Sequence, residues 1–204
     1  TLEPSSAASD VYKRQLFISS INSFALASFE SEEKFVSNFA DNAISILSNE
    51  SLNASQKNIQ FTELVMSSID MNLISKFVLS KYWKLATDDQ KKAYLAAFKQ
   101  YFISSYANKL DQYSGEKVVI VSSNAAKKFV IVKSNIVRDG TDTLKIELDW
   151  RLLTRDGQTK IIDLSIEGIS LIIAQREEFQ SFLANNDNSL DALINKLNSI
   201  NNKN

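Results

Sequence analysis

The chain has 204 residues, 44% of them hydrophobic and 23% charged, the proportions of one globular domain with an ordinary core. A formal net charge of −1 leaves no excess of cations to neutralise a phosphate backbone, so nucleic acid is not an expected partner. With no Cys, no His, four Gly and one Pro, the chain lacks thiol and imidazole chemistry and Gly-rich phosphate loops; no metal site, cofactor or nucleotide-binding fingerprint is expected.

Thr1 to Gln15 follow no periodic pattern and read as an added or assembly remnant outside the fold. Lys13 and Arg14 then precede Leu16-Phe17-Ile18 and a stretch ending Phe24-Ala25-Leu26-Ala27. Two readings are open for residues 16–27: the remnant of a secretory signal with an Ala-x-Ala cleavage site before Ser28, or a frayed amphipathic helix, since Ser19, Ser20, Asn22 and Ser23 dilute the apolar run. No stretch approaches the roughly 20 apolar residues that cross a bilayer, so a single soluble domain over residues 28–204 is expected.

From Ser31 to about Ser48, Phe35, Val36, Phe39, Ala43, Ile46 and Leu47 recur at helical spacing and predict one buried face. A second helix is expected from about Ser55 to Ser68, through Ile59, Phe61, Leu64 and Val65. Asp70 and Asn72 stand where a third helix needs a cap, and that helix carries Leu73, Ile74, Phe77 and Val78 toward Tyr82-Trp83. Thr87-Asp88-Asp89-Gln90 is a capping-box pattern opening a long helix to about Gln112, with an aromatic stripe of Tyr94, Phe98, Tyr101, Phe102 and Tyr106. Tyr113-Ser114-Gly115 closes it.

The period then changes to alternation and β-branched residues take over. Strands are expected over Lys117–Ser122, Lys128–Val137, Thr143–Leu153 and Lys160–Glu167, with turns at Asn124-Ala125, Asp139-Gly140 and Asp156-Gly157. In the third, Leu144, Ile146, Leu148, Trp150 and Leu152 alternate with Lys145, Glu147, Asp149 and Arg151, so one face is buried and the other wet. Short connections make the sheet an antiparallel meander. After Gly168 a helical period returns through Ile169, Leu171, Ile172, Phe179 and Phe182, and a last helix runs from Ser189 to about Ile200. Helices, sheet, helices is the order of an α+β fold.

Several phrases, in this order, resemble the MlaC (toluene-tolerance) family. Phe77-Val78-Leu79-Ser80-Lys81-Tyr82-Trp83-Lys84 is similar to its helix-ending signature, with Ser80 where the family has Gly; Thr87 to Phe98 and Tyr106 to Gly115 resemble the following segments. The most specific is Ile162-Asp163-Leu164-Ser165-Ile166-Glu167-Gly168-Ile169-Ser170-Leu171, continuing through Gln175-Arg176 and Phe179. The likeness covers Phe35 to Leu197. It implies a twisted antiparallel sheet of about four to five strands, with helices packed over one face and enclosing an apolar lipid cavity. It also implies a periplasmic, non-enzymatic carrier of glycerophospholipid. Its partners would be an inner-membrane ABC transporter with a ring-forming substrate-binding subunit and an outer-membrane lipoprotein–porin complex, in a system that maintains outer-membrane lipid asymmetry.

Physical chemistry agrees: exposing acyl chain to water costs about 0.8 kcal/mol per CH₂, on the order of 20 kcal/mol for a diacyl lipid, which many apolar side chains must offset. Candidate lining residues are Val78, Tyr82, Phe98, Phe102, Tyr106, Val132, Ile136, Ile146, Leu148, Trp150, Leu164, Ile166 and Ile169. Burial against a helix and burial against a lipid look the same in sequence, so each is equally open to a core role. Tyr82 and Trp83 are candidates for the mouth or for a packed helix end; Glu167 and Arg176 are candidates for a structural ion pair. Asp163 reads as a solvated or capping carboxylate. Two other readings stand beside the carrier. One is a small pocket enzyme (isomerase, dehydratase or lipid hydrolase), which needs converging carboxylates or a His base in the pocket. The other is a protein-binding adaptor with a filled core.

Overall fold

The computed structural model describes residues 29–107, 115–138 and 145–202. The readings of residues 1–27, of the long helix beyond Ala107 and of the Asp139-Gly140 turn lie outside these residues. The elements are α1 (Glu30–Ser48), α2 (Ala54–Ser68), α3 (Met71–Leu79), α4 (Lys81–Leu85), α5 (Asp88–Ala107), β1 (Glu116–Ala126), β2 (Phe129–Arg138), β3 (Lys145–Arg155), β4 (Gln158–Ile166), β5 (Ile169–Ser170), α6 (Leu171–Ala184) and α7 (Leu190–Asn201). The class is α+β, as the alternating periods require.

Each helix start follows from local chemistry. The side chain of Thr87 accepts from the Gln90 backbone N–H at 3.2 Å while Gln90 Oε1 accepts from the Thr87 N–H at 3.1 Å, a closed capping box. Asn53 and Gln56 form the same reciprocal pair at α2. Asp70 accepts from the Leu73 N–H at 2.9 Å, and Ser170 and Ser189 cap α6 and α7. The expected third helix is broken at Ser80, whose φ of 59° and ψ of −128° turn the chain between α3 and α4. That conformation costs a side-chain-bearing residue steric strain that glycine escapes.

The strands form one antiparallel sheet in the order β1-β2-β3-β4-β5, a meander. Asp156 and Gly157, with φ of 51° and 74°, make the expected tight turn between β3 and β4. The β1–β2 turn differs from expectation: it lies at Lys127-Lys128, because a register shift between Ile120 and Ser122 lets Asn124 and Ala125 pair with Ile131 and Val130. A second difference is β5. Glu167 and Gly168, at φ 49° and 78°, fold Ile169 back against Ile166, so the segment expected as helix is a strand until Ser170 caps α6.

Helices cover one sheet face. Val132, Ser134, Leu148, Trp150 and Leu152 point under them and are buried, whereas Lys133 and Asp149 on the other face form an ion pair at 2.7 Å in water. Above the sheet the helices pack on one another: α7 on α5, α3 on α6 and α1 on α2. Their common core holds Val78, Leu79, Tyr94, Phe98, Phe179, Leu183, Leu193 and Leu197. The buried Tyr94 hydroxyl donates to the Ser75 carbonyl at 3.1 Å, which ties α5 to α3.

Replacing Ser80 by Gly is expected to stabilise the fold by about 1 kcal/mol, release of left-handed strain outweighing the added unfolded-state entropy. Urea denaturation of S80G beside the wild type checks it; a lower midpoint in the variant contradicts the strain assigned to Ser80.

Candidate functional site

The sheet and the helical layer close on each other over only part of the sheet's inner face. Between them lies a cavity of about 690 Å³, within the range of roughly 300–1,000 Å³ common for small-molecule sites. Its floor is the inner sheet face: Val118 of β1, Ile136 of β2, Ile146, Leu148 and Trp150 of β3, and Leu164 of β4. Cross-strand pairing aligns them, with Ile136 opposite Ile146 and Trp150 opposite Leu164. One wall is the α1–α2 pair, through Phe39, Ala43, Leu47, Phe61 and Val65; the other is α3, α5 and α6, through Val78, Phe98, Phe102 and Ile172.

The lining is mostly apolar. The Trp150 indole N–H, the polar atom of the floor's largest side chain, donates to Ser134 Oγ at 2.8 Å. Phe39 meets the Trp150 ring edge-on at 5.6 Å. Phe39, Phe102, Ile136, Ile146, Leu164 and Ile172 face inward yet are only partly buried, the mark of walls that face space rather than one another. Tyr101 and Gln175 add a polar margin: the phenol donates to Gln175 Oε1 at 3.0 Å, and burial followed by the nearby Glu178 raises its pKa, so it stays a neutral donor.

Asp163, at the β3–β4 register shift, is 2% exposed rather than solvated. It accepts from Ser170 Oγ at 2.7 Å and from the Ile172 N–H at 3.4 Å and lies 3.5 Å from Arg151, so it fastens the start of α6 to the sheet. Among the described residues no cluster of three Asp or Glu is arranged to hold a metal ion, and no helix is long and apolar enough to cross a membrane.

The sequence profile described as MlaC protein matches residues 37–199, most of the chain. The chain belongs to the MlaC family. A relative from Haemophilus influenzae, the intermembrane phospholipid transport system binding protein MlaC, is 24% identical over 132 residues; the match spans 63% of this chain and 61% of the relative's length. A phospholipid-binding protein from Ralstonia solanacearum, solved in complex with a phospholipid, superposes with a TM-score of 0.72 at 21% identity, covering 83% of this chain and 96% of that one, and so shares the fold.

Of the residues expected at an MlaC-type cavity, Val78, Phe98, Phe102, Ile136, Ile146, Leu148, Trp150 and Leu164 stand on its lining. Tyr106 falls outside the described side chains. Four expectations are corrected. Tyr82 is 6% exposed in the helical core and its hydroxyl donates to Asn188 Oδ1 at 2.5 Å, so Tyr82 and Trp83 form a packed helix end and not a mouth. Val132 has the right face and pairs with Trp150, but it is fully buried in the core and is not on the lining. Ile166 and Ile169, 37% and 65% exposed, flank the β4–β5 turn and reach solvent. Glu167 and Arg176 do not pair: Glu167 accepts from the Glu147 N–H at 2.5 Å, and Arg176 lies over the Phe77 ring at 5.0 Å.

Sequence reasoning missed the α1–α2 wall, although Phe39, Ala43, Leu47, Phe61 and Val65 lay on faces already read as buried. It also missed Glu116 and Arg138, which no local pattern marks, because strand ends carry charge as a rule. Removing the Asp163 carboxylate (Asp163→Ala) is expected to destabilise the protein by about 1–3 kcal/mol, leaving a helix terminus and the Ser170 hydroxyl without their acceptor. Urea denaturation monitored through tryptophan fluorescence measures this, and an unchanged midpoint would remove Asp163 from the fastening role.

Proposed function

We propose that residues 28–204 form a single domain that binds glycerophospholipid by its acyl chains and carries it through the periplasm between the inner-membrane ABC transporter, with its ring-forming substrate-binding subunit, and the outer-membrane lipoprotein–porin complex. In that role it maintains outer-membrane lipid asymmetry and performs no chemistry on the lipid. The observation that carries this reading is the cavity of about 690 Å³ with hydrocarbon on its floor and both walls. Acyl chains within it are shielded from water at about 0.8 kcal/mol per CH₂. Family membership and the phospholipid held by the Ralstonia neighbour support the same ligand. Among the described residues the lining carries two carboxylates, which serve Arg138 and the α6 start, so neither is a free acid or base for the enzyme reading.

Transfer follows from the same energetics. Membrane interior and cavity are both apolar, so moving a lipid between them is close to neutral even though passage through water is not. The carrier therefore hands lipid over without consuming nucleotide. Phe98, Phe102, Leu148, Trp150 and the other lining residues act as contact surface for the tails.

Native mass spectrometry of the purified protein, followed by lipid extraction, is expected to find bound phospholipid. A Leu148→Glu or Phe102→Glu variant places an unpaired charge beside hydrocarbon, a cost of several kcal/mol, and is expected to lower occupancy at least tenfold while circular dichroism remains native. Mixing lipid-loaded protein with the lipid-free transporter subunit in the absence of ATP is expected to move lipid. Failure of any lipid to move between folded proteins in contact overturns passive transfer.

A further inference from the structure

At one end of the cavity the lining changes from hydrocarbon to charge. Arg138, the last residue of β2, stands opposite Glu116, the first of β1, and both side chains belong to the lining. The guanidinium donates through Nε to Glu116 Oε1 at 3.1 Å and through Nη2 to the same oxygen. The arginine side chain is 40% exposed and that of Glu116 17%, so the pair sits where the apolar space meets water. The other carboxylate that the described residues place on the lining, Asp163, is spent on Arg151 and α6. Among the described residues Arg138 is the one cation on the lining.

Strand geometry relates this cation to the tails. Arg138 lies two residues beyond Ile136 on the same face of β2, about 7 Å along the strand. Ile136 and Ile146 are paired floor residues. A chain of methylenes resting on that pair and extending toward the charged end reaches Arg138 where a glycerophospholipid changes from hydrocarbon to phosphodiester. A guanidinium has five N–H donors in a planar fork, and with Nε and Nη2 turned to a single carboxylate oxygen it retains donors for a second oxyanion.

Resting on the carrier reading, we propose that Arg138 binds the phosphodiester of the lipid headgroup, and that Glu116 is the competing acceptor that holds the guanidinium at the cavity mouth. Arg138 is then what makes the site prefer phospholipid to an uncharged diacyl lipid of the same chain length. Glu116 opposes anionic headgroups while keeping the arginine in place.

The two members of the pair therefore have opposite effects on binding, which a merely structural ion pair does not. The protein and its Arg138→Gln, Arg138→Lys and Glu116→Gln variants are each equilibrated with vesicles containing phosphatidylglycerol or diacylglycerol of identical chains, and occupancy is read by native mass spectrometry. Arg138→Gln is expected to lose about tenfold in phosphatidylglycerol affinity with diacylglycerol unchanged. Arg138→Lys, which keeps the charge without the fork, should fall between, and Glu116→Gln should gain for phosphatidylglycerol. Millimolar inorganic phosphate should displace no lipid, which separates a headgroup site from a free-phosphate site; displacement would overturn the headgroup assignment. Equal losses for both lipids in Arg138→Gln and Glu116→Gln would overturn the proposal and leave the pair a structural one. Wild-type protein that takes up neither lipid would overturn the carrier reading itself, and the role of Arg138 with it.

Discussion

The ring of Phe98 holds the helical layer together. It stacks on Tyr94 at 5.6 Å, meets Phe179 edge-on at 5.9 Å and contacts Tyr101 and Phe102, joining α5 to α6 through one aromatic cluster. With α7 packed on α5 and α3 on α6, the layer buries its large side chains within itself. The sheet adds Val132, Leu152 and Ile161 to the same core, which seats the layer on part of the inner face. Over Ile136, Ile146 and Leu164, which are only partly buried, the layer does not close onto the sheet and the cavity opens.

An apolar space of this size is a destabilising feature when empty, since its walls forgo dispersion contacts and the cost grows with volume. Filling it with hydrocarbon restores those contacts. Ligand binding and folding are then linked, and occupancy raises apparent stability by mass action. The floor is prepared for a dry occupant: Ser134 satisfies the Trp150 indole, and bound water has little to hold it there. Polar groups gather instead at the margin, in the Tyr101–Gln175 contact and the Arg138–Glu116 pair.

Much of this architecture is legible in the amino-acid sequence. Thr87 and Gln90 announced the start of α5, alternation through Leu148 and Trp150 identified the inner sheet face, and Asp156-Gly157 marked its turn, because each depends on neighbours within a few residues. The errors came where a distant partner decided the outcome. Ile169 fits a helical period, but the left-handed Glu167-Gly168 turn returns it to the edge of β4; Asn124 and Ala125 resemble a turn, but a register shift gives them partners across the ladder.

The chain by itself determined which faces are apolar, where most helices begin and that the strands form a meander, since periodicity and capping are local properties. Only the tertiary structure decided which apolar residues face empty space. Val132 and Trp150 share a face of the sheet and are indistinguishable by pattern, yet one is sealed in the core and the other floors the cavity. Tyr82 and Phe102 are both aromatic residues on helices, and one is committed to Asn188 while the other lines a wall. The difference lies in where the helical layer meets the sheet and where it stands away from it, a spacing set by side chains far apart in the chain.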